Sequence, residues 1–95
     1  MVLPRHQRIH LQNVRIAVGA RRHHFDERIG VPFLCECDDD DCHEFVIVRL
    51  PEFDTASKNH YVMVAIAHPV AGGQRAGGDD GYELYRTNDE QRAAG

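Results

Sequence analysis

Hydrophobic periodicity changes several times along this chain, and the changes divide it into elements. Residues 31–36 and 43–50 are short runs rich in β-branched and aromatic side chains, which suit strands. The second of these is apolar without interruption from Phe45 to Val48, the pattern of a strand covered on both faces. Residues 60–67 (His-Tyr-Val-Met-Val-Ala-Ile-Ala) carry the strongest strand signal in the sequence, and residues 82–86 give a last short strand after Gly81. Residues 51–59 open on Pro51 and Glu52 and predict a short helix, with proline in its first turn and an acid near its start. The stretch 70–81 is glycine-rich and predicts a flexible connection; residues 87–95 read as a frayed polar tail. No internal repeat is present.

The N-terminal stretch admits two assignments. Ile9, Ile16 and Ala20 share one helical face, with Ala17 at its edge, while Leu11, Val14 and Val18 fall on the opposite one. Residues 14–18 also alternate with period two, which suits a strand ended by Gly19. The helix, over residues 5–18, is the preferred reading. A helix apolar on two faces can place one on the body and the other on a partner or second copy, or have both covered within the monomer. Residues 21–30 form a polar loop. The fold class is therefore α+β: an N-terminal helix, a small, mostly antiparallel sheet of about four strands, and a short second helix.

Ninety-five residues make one domain. It divides into a basic helix and loop (1–30), an α+β body (31–86) and the tail (87–95). No apolar run is long enough to span a membrane, and the first five residues do not resemble a secretion signal, so a cytoplasmic protein is expected. Charge is uneven. Residues 5–28 carry six arginines against Asp26 and Glu27, a balance of +4, whereas residues 29–95 carry five basic and thirteen acidic side chains, a balance of −8. The basic arm either contacts phosphate, through Arg15, Arg21 and Arg22, or lies on its own acidic body. The excess of arginine over lysine is what a GC-rich genome would produce without any binding task.

All three cysteines fall within the eight residues from Cys35 to Cys42. In an extended C-x-C pair the two side chains point the same way, so Cys35 and Cys37 converge and Glu36 faces away. Residues 38–41 are long enough to loop back and deliver Cys42 to the same point. Three convergent sulfurs suit a tetrahedral zinc ion. Buried free thiols, a disulfide, a C-x-C redox pair and an iron–sulfur cluster compete with that reading. Four consecutive aspartates oppose burial, and an odd cysteine count opposes a disulfide. His68, at the end of the strongest strand, is the expected fourth ligand, which places a Cys3His zinc site at the tip of the hairpin formed by residues 31–50. Such a site leaves no open position for substrate, and its zinc is structural. The sheet and short helix are small enough that a metal staple is usual. No phosphate-binding loop, HExxH pattern or serine triad is present, and Ser57 is the only serine.

The order Phe33-Leu34-Cys35-Glu36-Cys37, four residues, Cys42, an apolar strand, a short helix, a strand ending at His68, then Gly81-Tyr82 and a final strand resembles a group of small, largely uncharacterised proteins of high-GC Gram-positive bacteria. These carry F-x-C-E-C-G-D-P-D-C, a helix of the type L-x-x-Y-E-x-V, P-G-H after a strand, and G-Y-x-V-V. The resemblance covers residues 31–86, with a fainter match at 13–17. It implies that Cys35, Cys37, Cys42 and His68 ligate a metal, and it implies no particular activity. Asp38 stands in place of the group's glycine, Asp40 in place of its proline, and Ile66-Ala67 in place of Pro-Gly. The expected function is a non-enzymatic interaction or regulatory module that binds another protein or a second copy. The alternative is a nucleic-acid- or ribosome-associated protein acting through residues 5–28, and a thiol switch at Cys35 and Cys37 stands third.

Overall fold

The N-terminal stretch is a helix, and it runs further than its sequence suggests. In the computed structural model, which describes residues 3–68, 70 and 72–87, α1 spans Arg5–Arg22 and passes through Gly19 without a break. Its stop signal is His24, held at φ 56°. Phe25 donates its N–H to the Ala20 carbonyl at 2.9 Å, and His24 donates to Arg21 at 3.1 Å, a Schellman closure. The second helix, α2 (Leu50–Lys58), ends the same way: His60 sits at φ 59°, Tyr61 bonds to Ala56 and His60 to Ser57. Histidine is among the few non-glycine residues that accept this backbone region. That cap also shortens the expected strand over residues 60–67, because His60 and Tyr61 finish the helix instead.

Among the described residues five strands form, arranged in two antiparallel sheets. β1 (Val31–Leu34) pairs with β2 (Phe45–Val48), with Val31 opposite Val48 and Leu34 opposite Phe45. The second sheet has the order β3-β5-β4, where β3 is Val62–Val64, β4 is Gln74–Gly78 and β5 is Glu83–Arg86. β4 corrects the reading of residues 70–81 as a connection without structure. Glycines weaken a strand in isolation, but β4 is an edge strand held by its partner β5, with a bulge between Arg75 and Gly77. Gly78, at φ 132°, passes so close to Tyr82 that a Cβ there would lie 2.4 Å from the Tyr82 carbonyl oxygen. Residues 88–95 of the expected tail lie outside the described residues. No helix among the described residues is long and apolar enough to cross a membrane.

One core sits between α1, the first sheet and α2. It holds Ala17, Val31, Phe33, Val46, Val48, Leu50, Phe53, Met63 and Tyr82, with the Phe33 and Phe53 rings stacked at 4.4 Å. Ile16 and Ala20 pack against it from α1, while Leu11, Val14 and Val18 stay exposed, so one apolar face of the helix is used and the other is not. β2 departs from expectation in the same sense. Its inner residues Val46 and Val48 are buried, but Phe45 and Ile47 are 59 % and 58 % exposed on a face that no described element covers.

A buried polar residue fastens α1. Asn13 lies in the middle of the helix's inner face and is fully buried. Its side-chain amide donates to the Leu34 carbonyl at 2.9 Å and accepts the Leu34 N–H at 2.8 Å, taking the place of a neighbouring strand on the edge of β1. The same amide donates to the Glu36 carboxylate at 2.8 Å. Asn13→Ala leaves these buried groups without partners and should cost about 2 kcal/mol or more. Val14→Ala, one residue away on the exposed face, should fall within about 0.5 kcal/mol of wild type; urea denaturation of the two variants checks the contrast.

Candidate metal centre

The hairpin loop between β1 and β2 carries three of the donors, and it is built to return on itself. Cys35 prolongs the ladder by one bond, donating its N–H to the Glu44 carbonyl at 3.1 Å. Extended geometry then turns Cys35 and Cys37 to one side and Glu36 to the other, as the period of two requires. Asp39 makes the turn: its carbonyl accepts the Cys42 N–H at 3.0 Å, and its carboxylate accepts the Asp41 N–H at 2.9 Å. Cys42 thereby comes back beside the first two sulfurs. The acidic run thus makes the turn that returns Cys42.

His68 arrives from the other sheet. A turn after β3 closes with the His68 N–H on the Ala65 carbonyl at 3.1 Å, and Ala67 inside it has φ 65°. Positive φ at the third of four residues is the mark of a type II turn, which favours proline then glycine at its centre. Ile66 and Ala67 stand there instead. The Ala67 N–H is held at 2.9 Å by the Glu83 carboxylate, which fixes the turn against β5.

The donor atoms of Cys35, Cys37, Cys42 and His68 lie within 4.8 Å of one another, so this group can hold a metal ion. His68 Nδ1 stands 3.4 Å from Cys35 Sγ and 3.5 Å from Cys42 Sγ. Tetrahedral zinc, with Zn–S near 2.3 Å and Zn–N near 2.05 Å, sets such N···S edges at about 3.6 Å. Cys35 and Cys37 are buried, Cys42 and His68 half-buried, and all three cysteines are free thiols. Val62 and Val64 of β3 line the inner side of the cluster. The sulfurs therefore converge as a set of three. That geometry fits neither a single disulfide nor thiols dispersed in a core.

The surroundings fit a bound cation. His68 directs Nε2 to the Glu44 carboxylate at 2.9 Å, which fixes the tautomer with Nδ1 free to ligate. The Ala65 N–H donates to Cys35 Sγ at 3.2 Å. Arg5, from the first turn of α1, lays its guanidinium across the loop: it donates to the Cys37 carbonyl, to the Cys42 carbonyl at 3.1 Å and, more loosely, to the Cys35 carbonyl at 3.4 Å. Its side chain is only 12 % exposed. Three thiolates, a neutral imidazole and a divalent ion sum to −1, and Arg5 supplies the opposite charge. Burial pushes the Cys35 thiol up to about 12 and raises Cys37 as well.

Glu36, on the reverse side of the C-x-C pair, is buried and fully engaged. It accepts the Met63 N–H at 2.8 Å, the Asn13 amide at 2.8 Å and His10 Nδ1 at 2.9 Å. Its own N–H bonds to the Met63 carbonyl at 2.8 Å, joining the first sheet to the second. The hydrogen bond to Glu36 holds the His10 imidazole pKa above its ordinary value; burial opposes this and the carboxylate's charge supports it.

Sequence reasoning placed the four donors but missed Arg5, Glu44 and Asn13 around them. Asn13 left a signal, as a polar residue on the face shared by Ile9, Ile16 and Ala20 in the middle of the helix. Arg5 and Glu44 left none, because their roles depend on how α1 crosses the loop and where His68 lands. The arginines proposed for nucleic acid are not part of this cluster. Arg15 and Arg22 are exposed on α1, and Arg21 forms an ion pair with Asp54 of α2.

The left-handed alanine gives a direct check on the turn that presents His68. An L-residue in that region costs about 1–2 kcal/mol, and glycine removes the cost while adding about 0.5–1 kcal/mol of unfolded-state entropy. Ala67→Gly should therefore leave the melting temperature unchanged or raise it by a few degrees. A marked fall in a thermal melt would contradict the turn.

Comparison of the chain with protein-family models, curated proteins and solved structures gives no match.

Proposed function

We propose that the chain is a zinc-stapled protein-interaction module of the cytoplasm, in which the ion holds the fold together and catalyses nothing. The convergence of three sulfurs and one imidazole nitrogen at tetrahedral spacing carries this reading. Four protein donors fill a tetrahedral zinc and leave no position for water or substrate. Soft thiolates and imidazole select zinc over hard cations. The ion would join the hairpin loop of one sheet to the turn after β3 in the other. In small modules such an ion contributes on the order of 10 kcal/mol of apparent folding free energy. The interaction role draws on the exposed apolar residues of α1 (Leu11, Val14, Val18) and of β2 (Phe45, Ile47), more than a small monomer needs to leave uncovered.

Purified protein should be colourless, contain one zinc per chain, and lose most of its thermal stability on chelation. A brown protein with iron would replace the zinc assignment, and a melt indifferent to chelator would reject the staple. Cys37→Ser should lower metal content and melting temperature together; full zinc in that variant removes Cys37 from the ligand set.

A second reading, nucleic-acid binding, has one observation in its favour. Arg8, Arg15 and Arg22 recur every seventh residue along α1, which carries no acidic residue, and all three are exposed. That row is about 10 Å from one guanidinium-bearing position to the next. Salt-dependent retention on a nucleic-acid column, lost in Arg15→Glu, would favour it over the protein-binding reading.

A further inference from the structure

We propose that the protein pairs with a second copy of itself along the free edge of β2, giving a continuous four-stranded sheet in the order β1-β2-β2-β1. The inference rests on the interaction-module reading and names its partner.

The hydrogen-bond phase of the hairpin defines what that edge offers. Cys35 N–H bonds to the Glu44 carbonyl, so residue 44 directs its backbone towards β1. Bonded and non-bonded pairs alternate in an antiparallel ladder, which turns residues 46 and 48 the same way and leaves 45 and 47 facing outwards. Pro32 agrees with this phase: it stands opposite Ile47, where no N–H is required. The N–H and C=O groups of Phe45 and Ile47 therefore line an edge with no strand on it among the described residues. Their side chains are also two of the most exposed large apolar groups in the molecule.

That edge is bare where edges are ordinarily protected. Charge, proline, bulges and short strands are the usual safeguards. β4, one edge of the other sheet, has Arg75 and a bulge, and β3, its other edge, is buried throughout. β2 is only four residues long but has no charge, proline or bulge from Phe45 to Val48. An exposed apolar edge without those three marks a surface with an occupant.

Symmetry then fixes the register. Two identical antiparallel strands related by a two-fold axis must have one residue opposite itself. With Val46 at the centre, Phe45 of each copy faces Ile47 of the other. The outward N–H and C=O groups of all four residues then meet as two bonded pairs, with four hydrogen bonds in total. The four apolar side chains gather on one face, each covering its neighbour. With Ile47 at the centre instead, Phe45 would face the charged Arg49. Charge selects the antiparallel direction as well, because it lays the acidic end of one strand (Asp41, Glu44) beside the Arg49 end of the other, whereas a parallel copy would set like ends together. The exposed stripe of α1 suits a second copy less. That helix has arginines and no acid, so two of them would meet cation to cation.

The test is the mass of the full metal-loaded chain by size exclusion with light scattering. Wild type should approach twice the 10.8 kDa of one chain as concentration rises. Ile47→Lys and Phe45→Lys should each give the single-chain mass with zinc content unchanged and a melting temperature that no longer rises with protein concentration, while Leu11→Lys should remain paired. A wild type of single-chain mass at every concentration overturns the proposal. So does a dimer that survives both lysines on β2, or one abolished by Leu11→Lys alone. Zinc content and the chelation melt, measured on the same samples, keep the two readings apart: a monomer with one zinc defeats only the pairing, and a metal-free stable chain defeats only the staple.

Discussion

Two sheets and a helix depend on what happens at one short loop. Cys35, Cys37 and Cys42 leave the first sheet, His68 leaves the second, and Arg5 leaves the foot of α1, and all five meet within a few ångströms. Buried thiols and a half-buried imidazole gain little by being placed together unless a cation stands among them. The main hydrophobic core covers the middle of the molecule, around Phe33, Phe53 and Met63, and only a smaller cluster, with Val62 and Val64 against Cys35 and Cys37, lies at this corner. A metal ion held there would add coordination to that limited apolar contact.

The same loop is held from behind. Glu36 cannot be replaced in its role by an apolar residue without leaving the Met63 N–H, the Asn13 amide and His10 unpaired in a dry interior. A carboxylate buried to 1 % exposure is tolerated because three donors satisfy it. His10 extends the chain of bonds to Ser57 of α2 at 3.1 Å and stacks on Phe53, so both helices answer to one acidic side chain. This polar bridge, set into an otherwise apolar layer, fixes how α1 crosses β1.

Much of this was legible in the residues. The period of two through Cys35-Glu36-Cys37 sends sulfurs one way and the carboxylate the other, and the structure follows it. The strand around Val62–Val64, the helix at Pro51 and the placing of His68 beside the sulfurs also came from local pattern. What escaped were features decided by partners distant in sequence. β4 is a strand because β5 lies beside it, not because Gln-Arg-Ala-Gly-Gly prefers to be one. Arg5 looked like any other arginine in a basic arm until the loop folded beneath it. The unbroken apolar run of β2 predicted cover on both faces, and the isolated chain provides one. Local pattern recorded the need for burial there without recording what meets it.

The position of Glu36 has a consequence for how information moves through so small a molecule. One dipeptide step separates the donor atoms from the carboxylate that grips α1, and the peptide group between them is planar and stiff. A shift in the loop's backbone thus lies one residue from the carboxylate that holds Asn13 and His10. The exposed side of α1 belongs to a helix whose seat is the back of the cysteine loop, so an ion held by that loop would bear on the helix through one side chain.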